Sequence, residues 1–180
     1  PSVRKSYDEE LLQLDTLLAR MGHEAGAAIE SALTALRNDD IELARSVVAR
    51  DSQIDAGEHE IEHRCLQLLL RQQPVASDLR KVSTALKMVT DVERIGDQAE
   101  DIAEIITFLG GRGAENSNLL REMARSTIKM VTESVDAYVK HDTALADQVI
   151  AEDDTVDDYF ARVKKDLIKR ICLLYTSDAA

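Results

Sequence analysis

At 180 residues the chain can bury one substantial core or two small ones, so length alone leaves the number of domains open. Its 34 acidic residues against 22 basic ones give a formal net charge of −12, which repels nucleic-acid backbones and anionic headgroups, so neither is expected as a partner. Two prolines and seven glycines in a chain that is 44% hydrophobic point to long helices and an all-α fold.

Taken in chain order, Ser6 followed by Glu9 reads as a capping box that opens a first amphipathic helix over 6–36. Asn38-Asp39-Asp40 breaks it, and Asp39 with Glu42 reads as a second capping box. The apolar face of the second helix runs through Leu43, Val47, Ile54, Ile61, Cys65 and Leu68 to about residue 72, and Pro74 ends it. The third helix, over 77–109, has the clearest period. Val82, Ala85, Val89, Val92, Gly96, Ala99, Ala103 and Ile106 alternate at spacings of three and four, which is a heptad seam. Three such helices joined by short turns are satisfied by an antiparallel bundle crossing at roughly 20°. Gly110-Gly111-Arg112-Gly113 is the one linker-like stretch.

The pattern then restarts, with a helix over 117–140, a break at His141-Asp142 and a helix over 143–171. Placing Asp153 on Asp51 sets an offset of 102 residues, which also places Asp142 on Asp40, Leu145 on Leu43, Val149 on Val47 and Asp157 on Asp55. This reads as two copies of one three-helix unit: a complete bundle over 1–110 and a second, two-helix bundle over 114–171 that lacks its last helix. The tail over 172–180 has no heptad seam and is set aside from the fold. A two-helix remnant leaves apolar surface exposed, which predicts oligomerisation, with a homodimer as the expected form, or else aggregation or disorder.

The longest apolar stretches fall short of the roughly 18 to 20 residues that a spanning helix needs. Arg4, Lys5, Asp8, Glu9 and Glu10 stand where a signal peptide would be apolar. Cys65 and Cys172 amount to neither a disulfide framework nor a metal knot, so a cytoplasmic location is expected, with Cys65 a small core residue.

The most chemical pattern is a set of carboxylate pairs at i, i+4: Asp51 with Asp55, Glu93 with Asp97, and Asp153 with Asp157. Each pair shares a helical face, where like charges cost a few tenths of a kcal/mol unless a cation bridges them. Glu100 and Glu104 extend the strip of Glu93 and Asp97. Oxygen-only ligands suit hard or borderline cations such as Mg, Ca, Mn or Fe. The plain alternative is a solvated acidic face.

His59-Glu60-Ile61-Glu62-His63 satisfies the zinc-protease pattern but lacks its extension and any strand-rich half, so chance explains it. Glu60 and His63 also make half of a di-iron signature, which motivates the alternative of a carboxylate-bridged, ferritin-like iron protein; the second half is absent. No nucleophile elbow and no phosphate-cradling glycine loop occurs, so no catalytic residue is assigned and the chain is not expected to be an enzyme. Arg80, Lys87 and Arg94 form a basic line, read as ion-pairing partners with Lys87 against Asp91.

Gln73-Pro74-Val75-Ala76-Ser77-Asp78-Leu79-Arg80, Leu86-Lys87-Met88 and Asp91-Val92-Glu93-Arg94-Ile95-Gly96-Asp97, with Arg50-Asp51-Ser52-Gln53-Ile54-Asp55 before them, closely resemble the motifs of the PhoU family. The resemblance spans about 4–171 and implies a pair of similar three-helix bundles. It implies that Asp51, Asp55, Glu93 and Asp97 bind a multinuclear cluster of iron or zinc, with manganese or magnesium as alternatives. In the second unit only Asp153 and Asp157 match, and the counterpart of Glu93 to Asp97 is missing. The implied function is negative regulation of phosphate uptake and of the phosphate-starvation response, by contact with the ATPase of a phosphate ABC transporter and with a phosphate-sensing histidine kinase.

Overall fold

The computed structural model describes residues 3–71, 75–110 and 117–177, and within them the chain is helical, with no strand. Five helices follow in order: α1 (Val3–Asn38), α2 (Ile41–Arg71), α3 (Ala76–Leu109), α4 (Asn118–Lys140) and α5 (Thr143–Ser177). Among the described residues no helix is long and apolar enough to cross a membrane. Pro74 and the run Gly111-Arg112-Gly113, assigned above as breaks, lie outside the described residues.

The ends of the helices revise two of the expected caps. α1 begins at Val3, so Ser6 sits inside its first turns and caps nothing. At the α1–α2 turn the cap is Asp40, whose Oδ1 accepts from Leu43 N at 2.9 Å, while Asp39 takes the left-handed φ of 56° that reverses the chain. Asp tolerates that conformation better than most residues. The α4–α5 turn repeats the arrangement residue for residue. His141 has φ 55°, and Asp142 Oδ1 accepts from Leu145 N at 2.9 Å. In both turns the capping Asp also donates its own N–H back to an alanine carbonyl at 2.9 Å, Asp40 to Ala35 and Asp142 to Ala137. The offset read from sequence is thus repeated in backbone geometry. α3 ends on Gly110, whose φ of 54° is the left-handed C-cap that glycine adopts without strain.

α1, α2 and α3 pack on one another, α4 lies against α1, and α5 lies against α4. Every residue of the α3 seam is buried, from Val82 to Ile106. It meets Leu14 and Leu18 of α1 and Ile61 and Cys65 of α2, all fully buried. Each such side chain contributes about 1.5–3 kcal/mol by leaving water. Cys65 is a core residue as expected, its Sγ 4.0 Å from Val82 O and its thiol pushed up to about 11 by burial. α4 joins this core through Val135, which seats over Gly22: a Cβ at Gly22 would stand 2.8 Å from Val135 Cγ2. A second link is polar. Tyr138 donates its hydroxyl to Lys81 O at 3.0 Å, and Lys81 Nζ bonds Asp15 Oδ2 at 2.8 Å in the interior between α1 and α3.

α5 is different. Of its apolar residues only Val149 is buried, while Ile150, Phe160, Leu167, Ile168 and Ile171 are all exposed. The segment set aside as a tail continues this helix through Ser177, since Leu173 and Leu174 favour helix and neither Gly nor Pro interrupts 172–177. An open groove of about 990 Å³ runs between α3, α4 and the first half of α5, floored by Val92, Val131, Val135 and Val149.

Candidate metal centre

α2 and α3 carry the acidic motifs, and their packing decides which carboxylates meet. Asp51 and Asp55 lie one turn apart on α2, beside the buried Ile54. On α3, Asp97 follows Gly96, and it is Gly96 that lets the helices close: a Cβ there would stand 2.9 Å from Ile54 Cδ1 and 3.5 Å from Asp51 Oδ1. With that approach, one oxygen each from Asp51, Asp55 and Asp97 falls within 4.8 Å of the others. Asp51 is buried at 9% exposure and lines a cavity of about 270 Å³ with Glu24, Ser31 and Arg50.

The electrostatics of this cluster are unrelieved. Among the described residues no Lys or Arg is ion-paired to Asp51, Asp55, Glu93, Asp97 or Glu100. Burial, then Asp55 and Asp97, raise the Asp51 carboxyl above the usual carboxylate range, partly offset by a hydrogen bond with Glu100. Glu100 is pushed up to about 7, by burial first and then by Asp51, which accepts its proton in that hydrogen bond. Glu93 is raised by burial and by Asp97. Glu58, one turn beyond Asp55 and absent from the sequence reading, is raised by burial and by Glu62, and its charge reaches Glu93. Glu100 holds its proton near neutral pH and Asp51, Glu93 and Glu58 are shifted in the same direction, and oxygen donors of this kind suit a hard cation.

Of the residues predicted from sequence, the structure therefore brings Asp51, Asp55 and Asp97 together and leaves Glu93 at their edge. Asp153 and Asp157 are exposed on α5, and among the described residues they join no converging group of metal-ligating side chains. The histidines take no part. His59 is 3.7 Å from Glu62, His63 contacts Gln67 at 2.6 Å, and Glu60 pairs with Arg64 at 2.9 Å, all on the outer face of α2. The basic line also differs from expectation, since Asp91 meets Arg94 at 3.9 Å and not Lys87.

The PhoU domain family matches 18–106 and 120–180, most of the chain. The chain belongs to the PhoU family. A relative from Clostridium acetobutylicum, named as a phosphate-specific transport system accessory protein PhoU homolog, is 36% identical over 92% of this chain and 76% of its own length. Another of the same name from Aquifex aeolicus is 35% identical over 89% of this chain and 73% of its own. The crystal structure of PhoU from Pseudomonas aeruginosa superposes with a TM-score of 0.85 at 33% identity, covering 92% of this chain and 80% of that one. The all-helical PhoU architecture expected from the sequence is thus the observed one, and the two family matches straddle the α3–α4 connection.

Proposed function

We propose that this chain is a regulatory accessory of phosphate transport whose α2–α3 carboxylate cluster holds a metal centre that organises a partner-binding face. The convergence of Asp51, Asp55 and Asp97 on one locus, in a chain that belongs to the PhoU family, carries the reading. The relatives' names supply the coarse role, an accessory of a phosphate-specific transport system. In finer terms, the chain acts as a negative regulator on the cytoplasmic side, linking the transporter ATPase to a phosphate-sensing histidine kinase, without catalysis of its own.

The chemistry supports a divalent or trivalent cation with oxygen ligands: Asp51, Asp55 and Asp97 would bind it, and Glu93 and Glu100, whose carboxyls are raised by burial and by their acidic neighbours, are placed to take part. A bound cation supplies charge neutralisation, which locks α2 against α3 along that face. Long rigid helices with a fixed charge pattern then offer a partner an extended, electrostatically specific surface.

The test is metal analysis of natively purified protein beside an Asp97→Ala variant, coupled to capture of the transporter ATPase and of the kinase. Stoichiometric metal that is lost in the variant, together with weakened capture, is the expected result. Capture of both partners at equal strength by metal-free protein and by the variant refutes the organising role of the centre. Failure to capture either partner overturns the linking role.

A further inference from the structure

α1 and α4 run antiparallel past each other, with Val135 against Gly22 and Ile128 against Gly26. Beyond that contact a groove of about 380 Å³ lies between the last turns of α1 and the first turns of α4. Its floor is apolar, with Ala124 buried and Leu33 and Ile128 half-buried. Its rim carries four exposed cations, Arg37 from α1 and Arg121, Arg125 and Lys129 from α4, against one acid, Glu30. In a chain whose acids outnumber its bases 34 to 22, this groove reverses the local sign. Arg125 pairs with Glu122 at 3.1 Å and Lys129 with Glu152 at 3.6 Å. Among the described residues Arg37 and Arg121 pair with no carboxylate and donate to the neutral side chains of Asn38 and Asn118. Arg121, Arg125 and Lys129 follow one another at one helical turn, so they make a row about 12 Å long with about 6 Å from each to the next. This face is also open in a finished three-helix unit. The offset of 102 residues puts Arg121, Arg125 and Lys129 on Ala19, His23 and Ala27 of α1, and all three of those are exposed although α3 is in place beside them. The other wall of the groove is α1 itself, part of the complete bundle.

We infer that the groove between α1 and α4 docks an acidic amphipathic helix of a partner protein, with carboxylates one turn apart set against Arg121, Arg125 and Lys129. Its apolar side chains rest on Leu33, Ala124 and Ile128, an arrangement in which apolar anchors fill a groove and charges fix the register. Cations at i, i+4 and i+8 are matched by carboxylates of the same spacing on a helix laid alongside, and by no single small anion. A free phosphate would engage one or two of the cations and leave the floor in water. A nucleic-acid backbone has the right sign, but it would run past a row of about 12 Å onto a surface of net charge −12. Arg37 and Arg121 gain most from docking, because neither has a carboxylate to give up. The two walls belong to different halves of the chain, so the incoming helix bridges the three-helix core and the α4–α5 pair. The inference rests on neither the metal centre nor the regulatory role, since no residue of the groove is among the converging carboxylates and either can fail alone.

The probe is a fluorescein-labelled helical peptide of about sixteen residues, with Glu at three successive i, i+4 positions and Leu on the adjoining face. The full chain is titrated into it and binding is read by fluorescence anisotropy. Saturable binding is expected that weakens at least about tenfold in Arg121→Glu/Arg125→Glu and about threefold in Arg37→Ala. Salt at about 0.5 M weakens it as well, because the rim charges are screened. A peptide with Lys in place of Glu fails on the wild type and binds Arg121→Glu/Arg125→Glu/Lys129→Glu, and a peptide with Ser in place of Leu loses affinity on the wild type. Arg121→Glu puts an acid in the first turn of α4, where the helix dipole favours it, so the variant keeps its fold, as circular dichroism checks. No binding up to about 1 mM peptide, or binding indifferent to these variants, overturns the inference. Displacement of the peptide by inorganic phosphate beyond what chloride of equal ionic strength causes also overturns it, in favour of a free-anion site. Tighter binding of a single-stranded oligonucleotide or of phosphatidylserine vesicles does the same, as does self-association of the chain that is lost in Arg121→Glu/Arg125→Glu.

Discussion

Glu100 on α3 donates its carboxyl proton to Asp51 on α2, a hydrogen bond between two acids that holds only while one of them stays protonated. Below the unfolded-state value of 4.5 both states of the chain bind that proton, and between 4.5 and about 7 only the folded chain does. Stability therefore falls as pH rises through this window, and the full loss stands above about pH 7. Discounted for the solvent that reaches the site, the effect is about 1 kcal/mol. Urea titrations of metal-free protein at pH 5 and pH 7.5 should show it, and Glu100→Gln, which keeps the hydrogen bond without the charge, should flatten the profile.

Asp97 is predicted to act with opposite signs on metal affinity and on metal-free stability. Asp97→Asn removes one of three converging oxygens and should weaken binding of manganese or iron at least about tenfold, the scale already found for outer-shell partners. It also relieves repulsion with Asp51, so the metal-free variant should be more stable by a few tenths of a kcal/mol. Thermal melts with and without metal read both effects. A variant destabilised in the absence of metal would contradict the electrostatic account.

Gly96 is where helix packing and the centre are joined. Gly96→Ala gains helix propensity, roughly 0.5–1 kcal/mol, but its Cβ meets Ile54 Cδ1 at 2.9 Å. Overpacking of that kind costs about 1–3 kcal/mol, so the net expectation is destabilisation of about 1 kcal/mol. Moving α3 off α2 also spreads Asp97 from Asp51, so metal affinity should drop with no ligand altered. Chemical denaturation and metal titration of this single variant test both parts.

The Lys81–Asp15 pair joins a half-buried lysine to a buried carboxylate, one of whose oxygens, Asp15 Oδ1, has no donor among the described residues. Lys81→Met should cost about 3–5 kcal/mol, because it strands the Asp15 carboxylate in the core. Lys81→Met/Asp15→Leu should recover most of that loss, since a packed apolar pair of similar volume is often as stable. Equal destabilisation of the single and double variants would place the role of Lys81 in packing and not in charge.

Much of this was legible in the sequence because heptad periodicity fixes a helix's buried face without knowledge of its neighbours. Val82 to Ile106 were read as a seam and are buried, and the offset that aligned Asp142 with Asp40 reappears in two matching turns. What was not legible depends on how one helix is rotated against another. Spacing placed Glu100 on the acidic strip but could not show its carboxyl meeting Asp51, and it gave no reason to look at Glu58. Gly96 was visible as a small seam residue, but its role needed the position of Ile54 across the interface. The Ser6 cap failed for a different reason: the residues before it extend the helix, and a local motif cannot register that. The tail, with no heptad seam, was set aside on pattern, although no Gly or Pro breaks it before Ser177 and α5 runs through it to that residue.

Val135 resting over Gly22 makes the meeting of α1 and α4 a keyed joint. The bare backbone at Gly22 is a notch on one face of α1, and one turn along that face Gly26 takes Ile128 of α4, so sliding α4 along α1 by a fraction of a turn draws both side chains off their glycines and onto positions that carry a Cβ. Movement between the three-helix core and the α4–α5 pair is then stepwise: either the key stays seated and the two parts turn together, or it lifts out, breaking the Tyr138 to Lys81 bond as it goes. A partner that binds across both parts would sense which of those two settings the joint is in.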